Sequence, residues 1–399
     1  MIHPLPRQRR RARILARLAS VGTMALLLSG CALTPSLENY SATAPAQLRY
    51  ADYAPATASG PFDSFAAELT ERTGGRVEVE PYWGGSLLSS KDLPSGLRAG
   101  IADIGIFTAT QHPSEYPVTN WLAKTASLAE PEFPRGILQS YAGFAEFAYT
   151  SPAVIEQFEA LGLKVLVPLH TVLNYDIICT SPITTLEEAR GMRVRSGGPL
   201  WDGEMRAAGM IPVTVAIDET YEGLQRGIID CAIANPRTAM TYGFWDIAKH
   251  YTSIPFSGIN SQYVVMNQTS WNALSEEDQQ ILWDASFTWW SENLVQDAIR
   301  KYQEMFEIGP SEQGITFLDA DPELTRSVTD YQAGVLGTLA ESAPPAVEDP
   351  QGEIDYYAER MDYWLDVVDG LDLGEDPNNP DLTAYFERVK TEIWDEQKP

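Results

Sequence analysis

The sequence is poor in the residues on which most hydrolytic and metal-dependent enzymes rely. Its 399 residues include only four histidines, which are scattered along the chain at His3, His112, His170 and His250. It contains no glycine-rich phosphate loop and none of the motifs H-E-x-x-H, G-x-S-x-G and S-x-x-K. Isolated histidines are more often packed or surface residues than ligands or bases. We therefore expect no catalytic residue, no metal site and no cofactor.

Basic residues are also scarce. The chain has 28 Lys and Arg against 55 Asp and Glu, which corresponds to a formal net charge of −27. Six of the arginines and none of the acids lie in the first 31 residues, so the remainder carries a charge of about −33. A body of this charge repels nucleic acid and anionic membrane surfaces, and we expect neither as a partner.

Long hydrophobic runs are absent, and the nearest approach to one is at the N-terminus. Residues 1–31 have a basic front, the apolar core "VGTMALLL" and a small-residue end, which is the pattern of a secretory signal and too short to span a membrane. The segment "LSGC" resembles a bacterial lipobox, which implies a lipid on Cys31; an ordinary signal with an incidental cysteine is the alternative. Residues 32–46 are then predicted to be a flexible tether.

Cysteine is rare as well. Beyond Cys31 the chain has Cys179 in "YDIICTS" and Cys231 in "IIDCAIA", both in apolar, strand-like surroundings. A buried inert thiol is the default interpretation of each, and export would also allow the two to form a disulfide. No histidine is near either cysteine in sequence, so neither is predicted to be a nucleophile.

What the sequence does contain is a regular alternation of strand and helix patterns. From "LRYADYA" to "IADIGIF" the order is βαβαβ, and the same order restarts after about residue 162. Such alternation favours an α/β fold with mainly parallel sheets covered by helices. Thr185 and Glu188 are spaced as a capping box, and Ser275 is predicted to cap a long helix. A second helical tract begins near Glu353.

Several short motifs resemble one family in their order and spacing. These are "TGGRV", "GIADIG", "GMRVR", "GMIPV" and "GIID", followed by "YGFWDIAKHYTS" and "VVMNQTSWNALSEEDQQIL". From about Leu48 to Lys301 the chain is similar to the extracytoplasmic solute-binding subunits of tripartite ATP-independent periplasmic (TRAP) transporters.

This resemblance implies a two-lobed periplasmic-binding-protein fold of type II-like topology, with two mixed sheets flanked by helices, hinge strands and a long connecting helix. The predicted domains are lobe I at 47–172 plus 262–300, lobe II at 173–261 plus 301–375, and a C-terminal helical tail at 376–399.

The family resemblance places its carboxylate-clamping arginine on Arg195. A guanidinium can hold a carboxylate through two parallel charge-assisted hydrogen bonds, and the small residues and helix start in "SGGPL" also suit an anion. Arg193 has the same strand parity, so the alternation by itself does not separate the two, and pairing with an acid is the other interpretation of both. Asn235 matches an asparagine that donates a second hydrogen bond in the family, although the spacing after Asp230 is one residue longer; capping the turn before Pro236 is its alternative role.

Aromatic residues at strand ends and in loops are predicted to form the walls of the pocket. These are Tyr53, Tyr82, Trp83, Phe107, Tyr175 and Trp201. The segment "TVLNYDIICTS" has Tyr175 and Asp176 where some family members place a second basic contact. That difference argues against a highly anionic ligand and slightly favours a monocarboxylate.

The sequence thus predicts an anchored receptor, monomeric and not an enzyme, that captures a small organic acid outside the cytoplasm and delivers it to a TRAP membrane permease. Two alternatives stay open: a binding protein for an ABC importer or a chemoreceptor, and an exported enzyme on an α/β scaffold.

Overall fold

Two separate β-sheets organise the chain. A computed structural model describes residues 46–170, 174–376 and 378–399, all of which fall within the unit that spans Ser36–Pro399. The predicted signal, the lipobox cysteine Cys31 and nearly all of the predicted tether lie outside the described residues. No helix within the described ranges is long and apolar enough to cross a membrane.

The first sheet has five strands in the order β2-β1-β3-β10-β4. Its strands are β1 (Ala46–Ala51), β2 (Val77–Tyr82), β3 (Ile104–Thr108), β4 (Leu163–Leu169) and β10 (Gln262–Asn267). Strand β1 runs parallel to β2 and β3, whereas β10 runs antiparallel to both β3 and β4.

The second sheet has six strands in the order β11-β9-β5-β8-β6-β7. Its strands are β5 (Asn174–Cys179), β6 (Arg193–Ser196), β7 (Ile211–Thr214), β8 (Cys231–Ala234), β9 (His250–Ser257) and β11 (Thr316–Asp319). Strands β6, β7 and β8 are parallel neighbours, and β5 is antiparallel to β8 and β9.

Both sheets are therefore mixed, as the family resemblance implied. The strands of the predicted alternating units, β1 to β3 and β6 to β8, are parallel as expected. The antiparallel pairs all involve the strands at which the chain changes sheet, between β4 and β5 and between β9 and β10. The limits of the two lobes stay a prediction.

Helices cover the sheets. Their bounds are α1 (Gly60–Arg72), α2 (Leu93–Arg98), α3 (Pro117–Leu122), α4 (Arg135–Thr150), α5 (Pro152–Ala160), α6 (Leu186–Ala189), α7 (Pro199–Ala207), α8 (Thr220–Gln225), α9 (Pro236–Thr241), α10 (Phe244–Ile247), α11 (Gln268–Asn272), α12 (Glu276–Asn293), α13 (Lys301–Ile308), α14 (Pro322–Gly337), α15 (Pro350–Asp369) and α16 (Thr383–Val389). The π-helical segment Leu294–Arg300 joins α12 to α13, so the predicted long helix is present as one continuous helical stretch.

Local sequence signals place the helix starts. The Thr185 side chain accepts a hydrogen bond from the Glu188 backbone N–H, and the Glu188 carboxylate accepts one from the Thr185 backbone N–H, which confirms the capping box of α6. Ser275 caps α12 by accepting from the Asp278 N–H at 3.1 Å. These caps satisfy N–H groups that the first turn of a helix leaves without partners.

A disulfide joins Cys179 and Cys231, which face each other on the antiparallel neighbours β5 and β8. The buried-thiol interpretation of these cysteines is therefore wrong, and the disulfide alternative is confirmed. The bond closes a stretch of 52 residues. Closing a loop of that length in the unfolded chain stabilises the fold by about 4 kcal/mol in the chain-entropy model.

The C-terminal segment packs onto the first sheet's side of the molecule. Tyr385 in α16 is fully buried and donates its hydroxyl to the Leu138 carbonyl at 2.7 Å. The Trp283 indole N–H donates to the carbonyl of Trp394 at 2.9 Å. Burial of large aromatic side chains is the main stabilising contribution of this segment.

Candidate ligand-binding site

The two arginines of "RVR" have different environments although they share one strand parity. Arg193 donates from Nε to Asp230 Oδ2 at 2.9 Å and from a terminal nitrogen to Oδ1 at 2.5 Å, and its side chain is 42% exposed. Arg195 is 3% exposed. The structure thus places Arg193 in a surface ion pair and Arg195 in the interior.

Arg195 carries a buried charge that no ion pair within the described residues neutralises, although the charge interacts electrostatically with Asp218. Its Nε donates to the Val215 carbonyl at 3.0 Å, and no carboxylate within residues 46–170, 174–376 and 378–399 forms an ion pair with it. Burial lowers its pKa from the usual value, yet an arginine stays charged at neutral pH. A buried cation without a counter-ion is costly, and an anionic ligand would remove that cost.

Arg195 lines a small cavity of about 40 Å³ between the two sheets. The cavity wall is formed mainly by polar and aromatic side chains: Tyr53, Thr108, Gln111, Tyr175, Arg195, Trp201, Ile217, Asn235, Arg237, Thr238, Tyr242, Ile259 and Gln262. The first sheet contributes residues at the ends of β1, β3 and β10, where Thr108 and Gln262 are directly paired. The second sheet contributes residues from the ends of β5, β6 and β8.

Four predicted site residues besides Arg195 lie in this cavity: Tyr53, Tyr175, Trp201 and Asn235. Trp201 is held in place because its indole N–H donates to the Ser257 carbonyl at 2.8 Å. Its ring centroid lies 5.1 Å from that of Tyr175. Burial raises the pKa of Tyr53 to about 12, so this hydroxyl keeps its proton and can donate.

Asn235 has the capping role and also lines the cavity. Its Oδ1 accepts from the Thr238 N–H at 2.7 Å, which caps α9. The cap fixes the orientation of the side-chain amide, whose NH₂ group is then available as a donor by chemistry. The two interpretations made from the sequence are therefore compatible.

Three predicted wall residues lie elsewhere. The Tyr82 hydroxyl donates to Glu80 at 2.9 Å, on the edge strand β2. Trp83 packs against Tyr50 and Phe62 with ring centroids 5.4 Å from each. Phe107 is fully buried against Tyr116, because alternate side chains of β3 face opposite ways and Thr108 takes the cavity side. None of these three residues lines the cavity that contains Arg195.

Sequence reasoning missed Arg237, the second arginine of the cavity. It lies two residues after Asn235, in "NPRT", and its Nε is 2.7 Å from Asp297 Oδ2. Arg237 is thus a second basic residue at another place in the cavity wall, and the Asp297 carboxylate offsets its charge. An arginine directly after an Asn-Pro helix start, in so acidic a chain, was the signal that could have identified it.

Asp176 lies on the other side of β5 from Tyr175. Its Oδ1 accepts from the Ile254 N–H at 3.1 Å, and it is 8% exposed. Burial raises its pKa to about 7. Asp176 borders a separate cavity and does not replace the missing basic contact.

A wider cleft of about 240 Å³ adjoins the cavity, and Arg195 and Gln111 border both. Two polar contacts cross this cleft between the sheets. The Ser90 hydroxyl donates to Asp218 at 2.9 Å, and Lys91 Nζ lies 3.1 Å from Glu219. Gly198, which follows β6, approaches Thr110, which follows β3: a Cβ on Gly198 would lie 2.4 Å from the Thr110 carbonyl oxygen.

Metal chemistry has no support in this region. In the part of the chain that the structure describes, no group of three or more His, Cys, Asp or Glu side chains could hold a metal ion. The cavity instead offers arginine, amide and hydroxyl groups, which bind carboxylate and hydroxyl oxygens.

Comparison with known proteins agrees with this geometry. Residues 56–326 match the family described as bacterial extracellular solute-binding protein, family 7. A solute-binding protein of Chromohalobacter salexigens is 25% identical over 261 residues, which cover 65% of this chain and 72% of that protein.

Solved TRAP solute-binding proteins share the fold. One from a marine metagenome, specific for pyroglutamate, has a TM-score of 0.67 at 20% identity and covers 79% of this chain and 99% of its own. Another, from Bordetella bronchiseptica with bound mandelate, has a TM-score of 0.67 at 18% identity and covers 80% of this chain and 99% of its own. Because the family model covers well over half of the sequence and the α/β fold with two mixed sheets is shared with these solved proteins, the chain belongs to family 7 of the bacterial extracellular solute-binding proteins.

Proposed function

We propose that this protein captures a small organic acid in the cavity between its sheets and delivers it to a TRAP permease. The observation that carries the proposal is Arg195, a 3% exposed guanidinium that is paired with no carboxylate in the described residues. Two charge-assisted hydrogen bonds from the guanidinium to a carboxylate would offset the cost of burying that charge. Delivery to a permease follows from membership of the family.

The ligand is proposed to be a monocarboxylate that carries further oxygen atoms. The similar receptors bind pyroglutamate and mandelate, each of which has one carboxylate and one additional oxygen function. The cavity here has one arginine without an internal counter-ion and several amide and hydroxyl groups, among them Gln111, Tyr242 and Gln262. A ligand with one anionic group and one or more neutral polar groups would match the side chains of this cavity wall.

Binding is proposed to close the cleft by a hinge motion of the two sheets with their helices. The contacts of Ser90 with Asp218 and of Lys91 with Glu219 join loops that belong to different sheets. The Lys91–Glu219 pair is exposed and is worth little by itself. Ligand contacts from both sheets would supply most of the free energy of closure.

A thermal-shift screen tests the proposal. We expect L-pyroglutamate, (R)-mandelate or D-galacturonate to raise the midpoint of thermal unfolding, since a ligand at 100 times its Kd stabilises a protein by about 2.7 kcal/mol. The matched carboxamides, pyroglutamide and mandelamide, should give no shift because they lack the charge that Arg195 recognises. Equal shifts with acids and amides, or no shift with any acid at saturating concentration, would contradict the proposal.

We also propose that Cys31 is lipidated and anchors the protein outside the cytoplasm. The support is the sequence "LSGC" at the end of an apolar core. In cells fed an alkyne fatty acid, the wild-type protein should carry the label and sediment with membranes. A Cys31→Ser variant should lose both properties while its soluble domain still binds ligand. Label retained on the variant would contradict lipidation at this residue.

A further inference from the structure

A second charged pair lies in the same cavity as Arg195. Resting on the proposed function, we propose that Arg237 and Asp297 form a charge-balanced subsite that accepts a neutral carbonyl or hydroxyl oxygen of the ligand and disfavours a second carboxylate. This names the ligand class more closely: monocarboxylates that carry a second, hydrogen-bond-accepting oxygen.

The guanidinium of Arg237 has more N–H donors than its contact with Asp297 uses. Its Nε lies 2.7 Å from Asp297 Oδ2 in an ion pair, but this contact does not have the geometry of a well-formed hydrogen bond. The contact is therefore an ion pair and not a bidentate clamp. Because a guanidinium carries five N–H donors, Arg237 can still donate to an oxygen in the cavity that it lines.

Asp297 is fixed behind Arg237. Its Oδ2 accepts from the Asn293 side-chain NH₂ at 2.9 Å, and the side-chain oxygen Oδ1 of Asn293 accepts from the Tyr141 hydroxyl at 2.9 Å. These bonds hold the carboxylate in the segment after α12, so the counter-charge stays beside Arg237 when the cavity is filled. Asp297 is a positioning residue, and Arg237 is the one that meets the ligand.

A second acid strengthens the balance. Asp52 is 7% exposed and interacts electrostatically with Arg237. Its oxygens accept from the Ala54 N–H at 2.7 Å and from the Tyr50 hydroxyl at 2.7 Å. Arg195 is thus the cation that remains for an anion, whereas a second carboxylate would meet Arg237 together with one or two acids. Carboxylates that are brought close together in a buried site repel each other strongly.

Matched ligand pairs test this inference. In mandelate and phenylmalonate a hydroxyl is exchanged for a carboxylate on the same carbon atom, and lactate and methylmalonate differ by the same exchange. By calorimetry, the wild type should prefer the monocarboxylate of each pair that it binds. Asp297→Asn removes the counter-charge and should shift the ratio of Kd values toward the dicarboxylate by about tenfold or more.

A double variant removes Arg237 without leaving Asp297 as an unpaired buried acid, which could impair folding. Arg237→Met with Asp297→Asn removes both charges and should weaken monocarboxylate binding by about tenfold without favouring the dicarboxylate. Arg193→Met, which removes an arginine from a surface ion pair outside the cavity, is the matched control and should leave both Kd values unchanged.

The outcomes distinguish a failure of the Arg237–Asp297 subsite from a failure of the proposed function. If acids bind through Arg195 but Asp297→Asn changes both members of a pair by the same factor, the subsite assignment is wrong and the proposed function stands. Unchanged monocarboxylate affinity in the double variant would also overturn the subsite. If the wild type binds none of the acids, the proposed function fails and this inference fails with it.

Discussion

Replacing Arg195 with methionine should raise the Kd for a bound organic acid by at least about a hundredfold. Each charge-assisted hydrogen bond to a carboxylate is worth roughly 1.5–3 kcal/mol, and the guanidinium can form two. Methionine keeps much of the length and volume of the side chain without its donors. Calorimetry with the acid identified by the thermal-shift screen would measure the loss.

The same substitution should not lower the stability of the ligand-free protein. Arg195 is 3% exposed and its Nε bond to the Val215 carbonyl is its one hydrogen bond to the described residues. Removing a buried charge without a paired counter-ion relieves a desolvation cost of several kcal/mol, which outweighs the roughly 1.5–3 kcal/mol of that charge-assisted bond. Arg193→Met is the control and should change neither affinity nor stability by much, since exposed ion pairs contribute little. An Arg195→Met protein that binds as the wild type does would show that the clamp lies elsewhere.

Replacing Gly198 with alanine should weaken binding by about tenfold to a hundredfold through a different cause. Gly198 has a φ of +147°, a conformation that side chains rarely adopt. A Cβ there would lie 2.4 Å from the carbonyl oxygen of Thr110, which belongs to the opposite side of the cleft. Strain of this kind costs about 1–3 kcal/mol, and it falls on the closed arrangement. The apparent Kd rises in proportion as the binding-competent population falls.

Scattering measurements would separate closure from local damage. With saturating ligand the wild-type radius of gyration should decrease, and the Gly198→Ala protein should need a much higher ligand concentration for the same change. Gly74→Ala is the matched control, because Gly74 also has a positive φ of 60° but nothing within 4 Å of an added Cβ. The control should lose some thermal stability and keep its affinity. Equal affinity of the Gly198→Ala protein and the wild type would mean that this contact does not limit closure.

Local signals in the sequence predicted the scaffold well, because they depend on neighbours along the chain. The capping box of Thr185 and Glu188 and the cap at Ser275 are both present. The strand pattern around Arg195 and the helix that begins at Pro199 are also present. Strand direction was predicted less well, because alternation of strands and helices does not reveal that the chain passes from one sheet to the other between β4 and β5 and returns between β9 and β10.

Neighbouring positions in the sequence were not enough to predict which side chains form the wall of the cavity. Tyr82 and Trp83 precede two glycines and looked exposed to a ligand, but β2 is the edge strand of its sheet and its end does not meet the second sheet. Phe107 and Thr108 are adjacent, and one faces the core while the other faces the cavity. Which side chains at the end of a strand line a site depends on which face of the strand the second sheet packs against.

The sequence by itself determined the α/β class, the kinship with TRAP solute receptors and Arg195 as the leading candidate, because these rest on patterns and motifs within short segments. The tertiary structure alone decided between Arg193 and Arg195, since only packing shows that Asp230 already pairs with the first while the second is buried without an acid. It also revealed Arg237 beside Asp297, sixty residues away in the chain. Charge balance within a cavity is a sum over residues from distant segments, so no single stretch of sequence contains it.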